Sequence, residues 1–329
     1  MTTLITGAGL VGSLAAARLI AERDERPVLY DVGFTMQNLA ERVDLDKVTL
    51  VRGDVTDVPD LIRAIQMHRV DRIIHSAGML TWMVRERPYT GVRVNLIGTL
   101  AVFEAARLTG VQRVVFCSSN TVHLGTKGGG STEPEGADFA LHTVSEYPPS
   151  VYASMKLAGE WLGHCYRNEY GVDVVSVRFA GVFGPWHGTP SGGPSQLLQQ
   201  VIECAYYGRP CRLSAGDLDR AATSYVYAAD AAQGTVRGVH AAEPTTRVYN
   251  IAMAELHTLR EIVDMTERLA DRKLQIEETP AASLSGYGST AHPPPDLHPA
   301  GAELGYHVEY PMEEAIRDYL GWLQRTAPR

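Results

Sequence analysis

The 329-residue chain carries 30 Lys and Arg against 38 Asp and Glu, a net charge of −8, with 45% hydrophobic and 21% charged residues. That balance describes a globular chain and excludes nucleic acid as a main partner, and no run of 18 apolar residues signals a membrane span. Cys117, Cys165, Cys204 and Cys211 show no CxxC spacing, so they read as reduced thiols rather than zinc ligands or a disulfide frame, and no metal site is expected.

Thr2 to Thr6 enters a strand without a basic leader, which argues against a signal peptide and for a cytoplasmic protein. Apolar runs then alternate with helical patterns. Leu4 to Thr6 is a strand, followed by a glycine turn and a helix around Ser13 to Ala21. Val28 to Tyr30, Val48 to Val51 and Ile73 to His75 are strands, with a helix near Leu61 to His68 before the last of these. A helix from about Val92 to Arg107 leads to strand Val114 to Cys117. Another begins near Tyr152 and leads to strand Val174 to Val177. This alternation predicts an α/β fold: a doubly wound parallel sheet of Rossmann type, covered by helices on both faces.

The pattern changes after Gly181. A Gly/Pro-rich loop over 184–194 precedes a helix from Gln196 to Tyr207, a strand Val248 to Ile251, a helix from Thr258 to Leu269, a Pro/Ser/Ala-rich stretch over 280–300 and a last helix from Met312 to about Leu323. We divide the chain into a dinucleotide-binding domain over 1–180 and a smaller C-terminal substrate lobe over 181–329, with segments of the second half returning to the first.

Gly7-Ala-Gly9-Leu10-Val11-Gly12 fits GxGxxG, follows a strand, opens a helix and stands 19 positions before Asp31. In that context the pattern is a dinucleotide site, with Gly7 for the tight turn, Gly9 for approach of the pyrophosphate and Gly12 for close helix–strand contact. Asp31 can accept hydrogen bonds from the adenosine ribose and would repel a 2′-phosphate, which points to NAD rather than NADP. Asp54 and Val55 follow the third strand, where a carboxylate could meet the adenine; a turn-forming Asp is the plainer reading. His75-Ser76-Ala77-Gly78 ends the fourth strand, with small residues where a ligand would lie and His75 read as a packed histidine. Asn95 falls within a helix, where a structural role competes with cofactor contact. Ser118-Ser119-Asn120-Thr121 ends the fifth strand at the edge where ligands bind.

Tyr152 and Lys156 stand four apart, on one face of a helix for which Ser150, after two prolines, is the candidate N-cap. An ammonium beside a phenol favours the tyrosinate, and a base so poised can take a proton from a carbinol while hydride leaves the same carbon. A Tyr and a Lys on a solvated helix face is the alternative, which the neighbouring motifs outweigh.

These motifs together resemble the extended short-chain dehydrogenase/reductase family, in its NAD-dependent epimerase/dehydratase group. The carriers include Thr6 to Gly12, Gly53 to Asp57, His75 to Gly78, Asn95 to Thr99, Ser118-Ser119, Tyr152 to Lys156, Arg178 to Pro185 and Tyr225 to Asp230. The resemblance implies Tyr152 as base, Lys156 holding the nicotinamide ribose, Ser119 as third catalytic hydroxyl, and Phe179 to Val182 passing beside the nicotinamide. It also implies a substrate between the lobes and a homodimer paired through the helices near 92–107 and 152–170. Four departures stand out. The glycine turn is one residue short. The loop between Ser119 and Tyr152 is long and could serve as a lid. Thr223-Ser224 stands where the family often carries Arg-Asp, and no basic diphosphate grip is evident near Pro293. Arg212 and Arg220 are the candidate anion partners. The expected function is epimerase or dehydratase chemistry on a sugar or nucleotide-sugar alcohol. The alternatives are an NAD-dependent dehydrogenase of a free sugar, sugar acid or other hydroxy compound, and a non-catalytic NAD sensor.

Overall fold

The computed structural model describes residues 1–123, 136, 150–188, 192–219, 221–279 and 293–326. The first half runs β1 (Thr3–Thr6), α1 (Leu10–Arg23), β2 (Val28–Asp31), α2 (Met36–Ala40), β3 (Thr49–Arg52), α3 (Val58–His68), β4 (Arg72–His75), α4 (Thr81–Glu86), α5 (Pro88–Val92), α6 (Gly98–Thr109), β5 (Arg113–Ser119), α7 (Val151–Tyr170) and β6 (Asp173–Phe179). The second continues with β7 (Gly181–Phe183), α8 (Pro194–Tyr207), β8 (Cys211–Ser214), α9 (Ala215–Leu218), β9 (Thr223–Tyr227), α10 (Ala228–His240), β10 (Val248–Ile251), β11 (Leu256–His257), α11 (Leu259–Ala270), β12 (Ile276–Thr279) and α12 (Met312–Thr326).

The main sheet has seven parallel strands in the order β10-β6-β5-β4-β1-β2-β3. Strand alternation sends side chains to its two faces in register. Leu4, Ile73, Val114 and Val174 stand side by side across four strands and pack under α3 and α6 through Leu61, Ile65, Val102 and Phe103. The next rung, Ile5, Ile74, Val115 and Val175, faces α1 and α10 through Ala16, Leu19, Ala232 and Val236. Small residues let α10 lie close: a Cβ on Gly234 would come 2.9 Å from Ile251. Two small sheets in the second half, β11-β9-β7 and β12-β8, stand outside the main one and cover a third core around Phe183, Ile202, Tyr225, Ile262 and Tyr319. Among the described residues no helix is long and apolar enough to cross a membrane.

The helix expected over Val92 to Arg107 is interrupted by a π-helical turn, Arg93–Ile97. Two interactions draw the backbone out of α register there. Asn95 turns its amide to the backbone of Met79, accepting from its N–H at 2.7 Å and donating to its carbonyl at 2.9 Å. The Thr99 hydroxyl meanwhile donates to the Asn95 carbonyl at 2.7 Å. Gly98, which ends the turn, has no room for a Cβ, since one would stand 2.9 Å from Val55.

His75 is a packed histidine, as its sequence suggested. It is 1% exposed, with Nδ1 2.7 Å from the Thr6 hydroxyl and Nε2 3.0 Å from that of Thr99. Because Thr99 spends its proton on Asn95, Nε2 donates to Thr99 and Nδ1 accepts from Thr6, which is the neutral ring. Burial pushes its pKa down to about 3, with the Lys156 charge adding to the effect. An unfolded histidine titrates near 6.5. This stabilisation is therefore complete above pH 6.5 and is lost as the pH falls toward 3, because only the unfolded chain takes up the proton there. His75→Gln should make stability less steep between pH 6 and 4 by about one proton, or ~1.4 kcal/mol per pH unit; urea midpoints across that range, compared with the wild-type protein, measure it.

Candidate active site

The chain runs outward from β1 through β2 to β3, then returns to build β4, β5 and β6 on the other side of β1. Beyond the carboxyl ends of β1 and β4, where the direction reverses, a doubly wound sheet leaves a crevice. A cavity of about 770 Å³ opens there and continues past β5 and β6 to the second lobe.

The glycine turn after β1 forms one wall. Gly7 has φ +89°, and a Cβ on it would fall 2.6 Å from the Ala77 nitrogen. A Cβ on Gly12 would fall 1.9 Å from the Gly7 carbonyl oxygen. Gly9 differs: nothing lies within 4 Å of where its Cβ would be, so its backbone is open to the cavity. Gly9 also caps α1 without a side-chain bond, and the first turn of α1 holds no acidic residue. The opening N–H groups of α1 thus face space that an anion could fill. Asp31 lines the same cavity, its carboxylate accepting from the backbone N–H groups of Ala8 at 2.8 Å and Gly33 at 3.1 Å. A dinucleotide fits this wall: open donors for its phosphates and, at the end of β2, an acid for its ribose.

The second wall belongs to α7. Ser150 caps it, accepting from the Ala153 N–H at 3.1 Å. Tyr152, Lys156 and Glu160 follow at four-residue intervals on one face. Lys156 is 7% exposed; its Nζ donates to the Cys117 carbonyl at 2.7 Å and lies 5.7 Å from the centre of the Tyr152 ring. Burial pushes the ammonium down to about 8, partly offset by the nearby Glu160 carboxylate, so it remains mainly charged at neutral pH. Ser119, at the end of β5, lines the cavity with Tyr152 and Lys156, and its hydroxyl oxygen accepts from the Thr121 N–H at 3.2 Å and hydroxyl at 3.0 Å. Beneath them lies a contact that sequence reading missed. Glu160 and Arg178, 2% and 4% exposed, pair through two hydrogen bonds of 2.8 and 2.6 Å, and the Ser118 hydroxyl donates to Glu160 at 2.5 Å.

Leu10, Val11, Gly78, Asn120, Thr121, Phe179 and Val182 also line the cavity. Gly7, Ala77 and Asn95 stand behind its wall, Asn95 by holding the Met79 backbone. Asp54 and Val55 lie outside the lining. The Asp54 carboxylate closes its own turn onto Thr56, with both bonds at 2.9 Å, and Val55 is packed in the core. Arg212 is exposed on β8 and paired with Glu277 at 3.2 Å, also outside the lining. Arg220 and most of the loop between Ser119 and Tyr152 lie outside the described residues. His257, Trp186 and Asp217 line the cavity without having been singled out by sequence reading. They sit on segments whose place against the sheet comes only from tertiary packing.

The sequence model described as the NAD dependent epimerase/dehydratase family matches residues 3–252. The chain belongs to this family. It is thereby an enzyme of the extended short-chain dehydrogenase/reductase type. It is 31% identical to a UDP-glucose 4-epimerase of Mycolicibacterium smegmatis over 72% of either chain. It resembles the structure of a Thermus thermophilus UDP-glucose 4-epimerase in complex with NAD, at 28% identity and TM-score 0.79, with full coverage of both chains. It also resembles an L-threonine dehydrogenase from Cupriavidus necator, at 26% identity and TM-score 0.78, covering 98% of this chain and all of the other.

Glu160→Ala would strand the Arg178 guanidinium in the interior. Breaking one side of a buried pair costs roughly 3–5 kcal/mol. The variant should lose stability on that scale in urea unfolding, and Glu160→Gln, which keeps hydrogen-bonding capacity, should lose less.

Proposed function

We propose that the enzyme binds NAD along the Gly9–Gly12 wall and oxidises a secondary alcohol of a sugar or nucleotide sugar through a ketone, in the manner of an epimerase or dehydratase. The observation that carries this reading is the convergence of Tyr152, Lys156 and Ser119 on one cavity with the open turn at Gly9. Bound NAD would supply the acceptor for the departing hydride. Asp31 would take the adenosine ribose hydroxyls and disfavour a 2′-phosphate by like charge. Phe179 and Val182 would bound the nicotinamide. Tyr152 removes the carbinol proton, the Lys156 ammonium lowers the cost of the tyrosinate, and the Ser119 hydroxyl holds the reacting oxygen. A ketone kept in place and reduced on its other face gives an epimer; one that first loses water gives a dehydrated product.

A second reading has its own support. Among the described residues lining the cavity, Lys156 is the one Lys or Arg, and Thr223 and Ser224 occupy the positions where Arg-Asp is common in the family. A diphosphate calls for charge-assisted donors. A dehydrogenase of a free sugar, sugar acid or other hydroxy compound has no such requirement. Pairing of two copies over α6 and α7, where Leu108 and Trp161 are exposed, belongs to the same proposal and is read by sedimentation velocity, a monomer counting against it.

Tyr152→Phe should bind NAD as the wild-type protein does, yet lose roughly 10²–10⁴-fold in turnover; near-normal turnover would remove Tyr152 from the mechanism. Calorimetry on the wild-type protein should give tighter binding of NAD than of NADP.

The two readings separate on cofactor fate. An epimerase regenerates its NAD in each cycle, so NAD should survive purification and appear on unfolding, with a nucleotide sugar isomerised and no net NADH. Cofactor-free protein that makes NADH steadily from a free sugar or sugar acid would establish the dehydrogenase instead.

A further inference from the structure

A segment from the second half of the chain returns to the wall that carries Gly9 and Asp31. After β7 the chain passes through Gly184, Pro185, Trp186 and His187. Gly184 packs beside the first residue of α1: a Cβ on it would stand 3.6 Å from the Leu10 side chain. The next three residues lie along α2, which begins directly after Thr35. The Arg42 guanidinium donates to the Pro185 carbonyl. Asn38 grips the His187 backbone at both polar groups, donating to its carbonyl at 2.9 Å and accepting from its N–H at 3.0 Å. The His187 ring adds a contact of 2.9 Å with Glu41.

Trp186 is thereby pinned between the start of α1 on one side and α2, with the turn after β2, on the other. It lines the same cavity as Leu10, Asp31, Val32, Gly33 and Thr35. The indole is partly exposed, and the Arg42 guanidinium lies 5.2 Å from the centre of its ring, so the ring is supported on the protein side. Val32, which follows Asp31, is 60% exposed although apolar. An indole and a valine left uncovered where a ligand would lie gain free energy when that ligand shields them from water.

We propose that Trp186 packs on the adenosine half of bound NAD and holds the cofactor in place. The proposal rests on the NAD-binding reading above and adds what retains the cofactor there. The part covered is the adenosine ribose with the adjoining phosphate, because in that reading these lie between Asp31 and the start of α1. A broad apolar ring suits the face of a sugar, whose hydroxyls point outward to Asp31. The segment is already fixed by Asn38 and Arg42, so little freedom is lost when the ligand arrives. Trp186 acts on cofactor affinity; Tyr152, Lys156 and Ser119 remain the reacting groups.

The test uses full-length protein, cleared on charcoal of any nucleotide carried through purification, and calorimetric titration with NAD and with ADP-ribose. ADP-ribose keeps the adenosine half and both phosphates and lacks only the nicotinamide. Trp186→Ala should weaken both ligands by the same factor, about 10- to 100-fold, the scale on which a well-packed Trp contributes to binding. Trp186→Phe, which keeps a flat apolar ring, should lose less. Binding of ADP-ribose by Trp186→Ala within twofold of wild type would overturn this role, and the proposed function would stand as long as the wild-type protein binds NAD. A loss seen with NAD and not with ADP-ribose would move Trp186 to the nicotinamide end and equally overturn it. Should Trp186→Ala fail to fold, Trp186→Phe decides by the same twofold limit. If neither ligand binds the wild-type protein, the proposed function falls, and this role with it.

Discussion

An ammonium held almost entirely out of solvent is the constraint on which the site depends. Lys156 carries its charge in the interior, and desolvating a charge is costly unless dipoles and countercharges replace the lost water. Three neighbours do so: the Cys117 carbonyl at 2.7 Å, the Phe116 ring with its centre at 5.0 Å, and Glu160 one turn further along α7. Each belongs to a different requirement of the fold. The carbonyl sets the height of β5 against α7. The ring fills the space left by Gly159, where a Cβ would come 2.7 Å from Phe116. Glu160 is held by Arg178 from β6 and by Ser118 from β5. Once these are met, Tyr152 and Ser119 have little freedom left, since one lies a turn before Lys156 and the other is the next residue after Ser118.

The second lobe is joined to this frame by packing of a different kind. The Arg42 guanidinium, next to α2, lies over the rings of Trp186 and Trp322, at 5.2 and 5.9 Å. Trp322 comes from α12 and donates its indole N–H to Glu41 at 3.0 Å. Asn38 both donates to and accepts from the backbone of His187. The segment carrying Trp186 into the cavity is therefore held from the α2 side and by the last helix together. Rigid support of this sort is what a site needs if its side chains are to keep one geometry.

Much of this was legible in the sequence because the signals are local. The strands that build the parallel sheet are short apolar runs, and their boundaries moved by only a residue or two. Ser150 announced α7 because capping chemistry is confined to four residues. Gly7, Gly9 and Gly12 could be given separate roles because a missing Cβ acts at its own position. What escaped notice is non-local. Strands β7, β8, β9 and β12 are about as short as those of the main sheet, but β8, β9 and β12 mix polar residues into the run (as in CRLS and IEET), and their partners are distant in the chain. The break in the helix near Asn95 depends on Met79 across a loop. Asp54 reads in sequence as either a turn former or an adenine partner, and the bonds it makes with Thr56 in its own turn go to one carboxylate oxygen. The Glu160–Arg178 pair lies between a helix and a strand, and neither residue stands out from an ordinary surface charge in sequence.

The placement of β10 has a consequence for how the chain reaches its native state. The main sheet is finished by a strand from the second half, Val248–Ile251 against Ser176–Phe179, and one of its faces is roofed by α10. A nascent chain released only as far as β6 would present a bare, apolar strand edge and an unroofed face, which is the geometry that invites intermolecular pairing. Such a sheet closes late, by contacts of high sequence separation, and loop closure makes those contacts slow. The two halves are thus one cooperative unit in assembly, and the vulnerable period in the life of this protein falls between the synthesis of β6 and the arrival of β10.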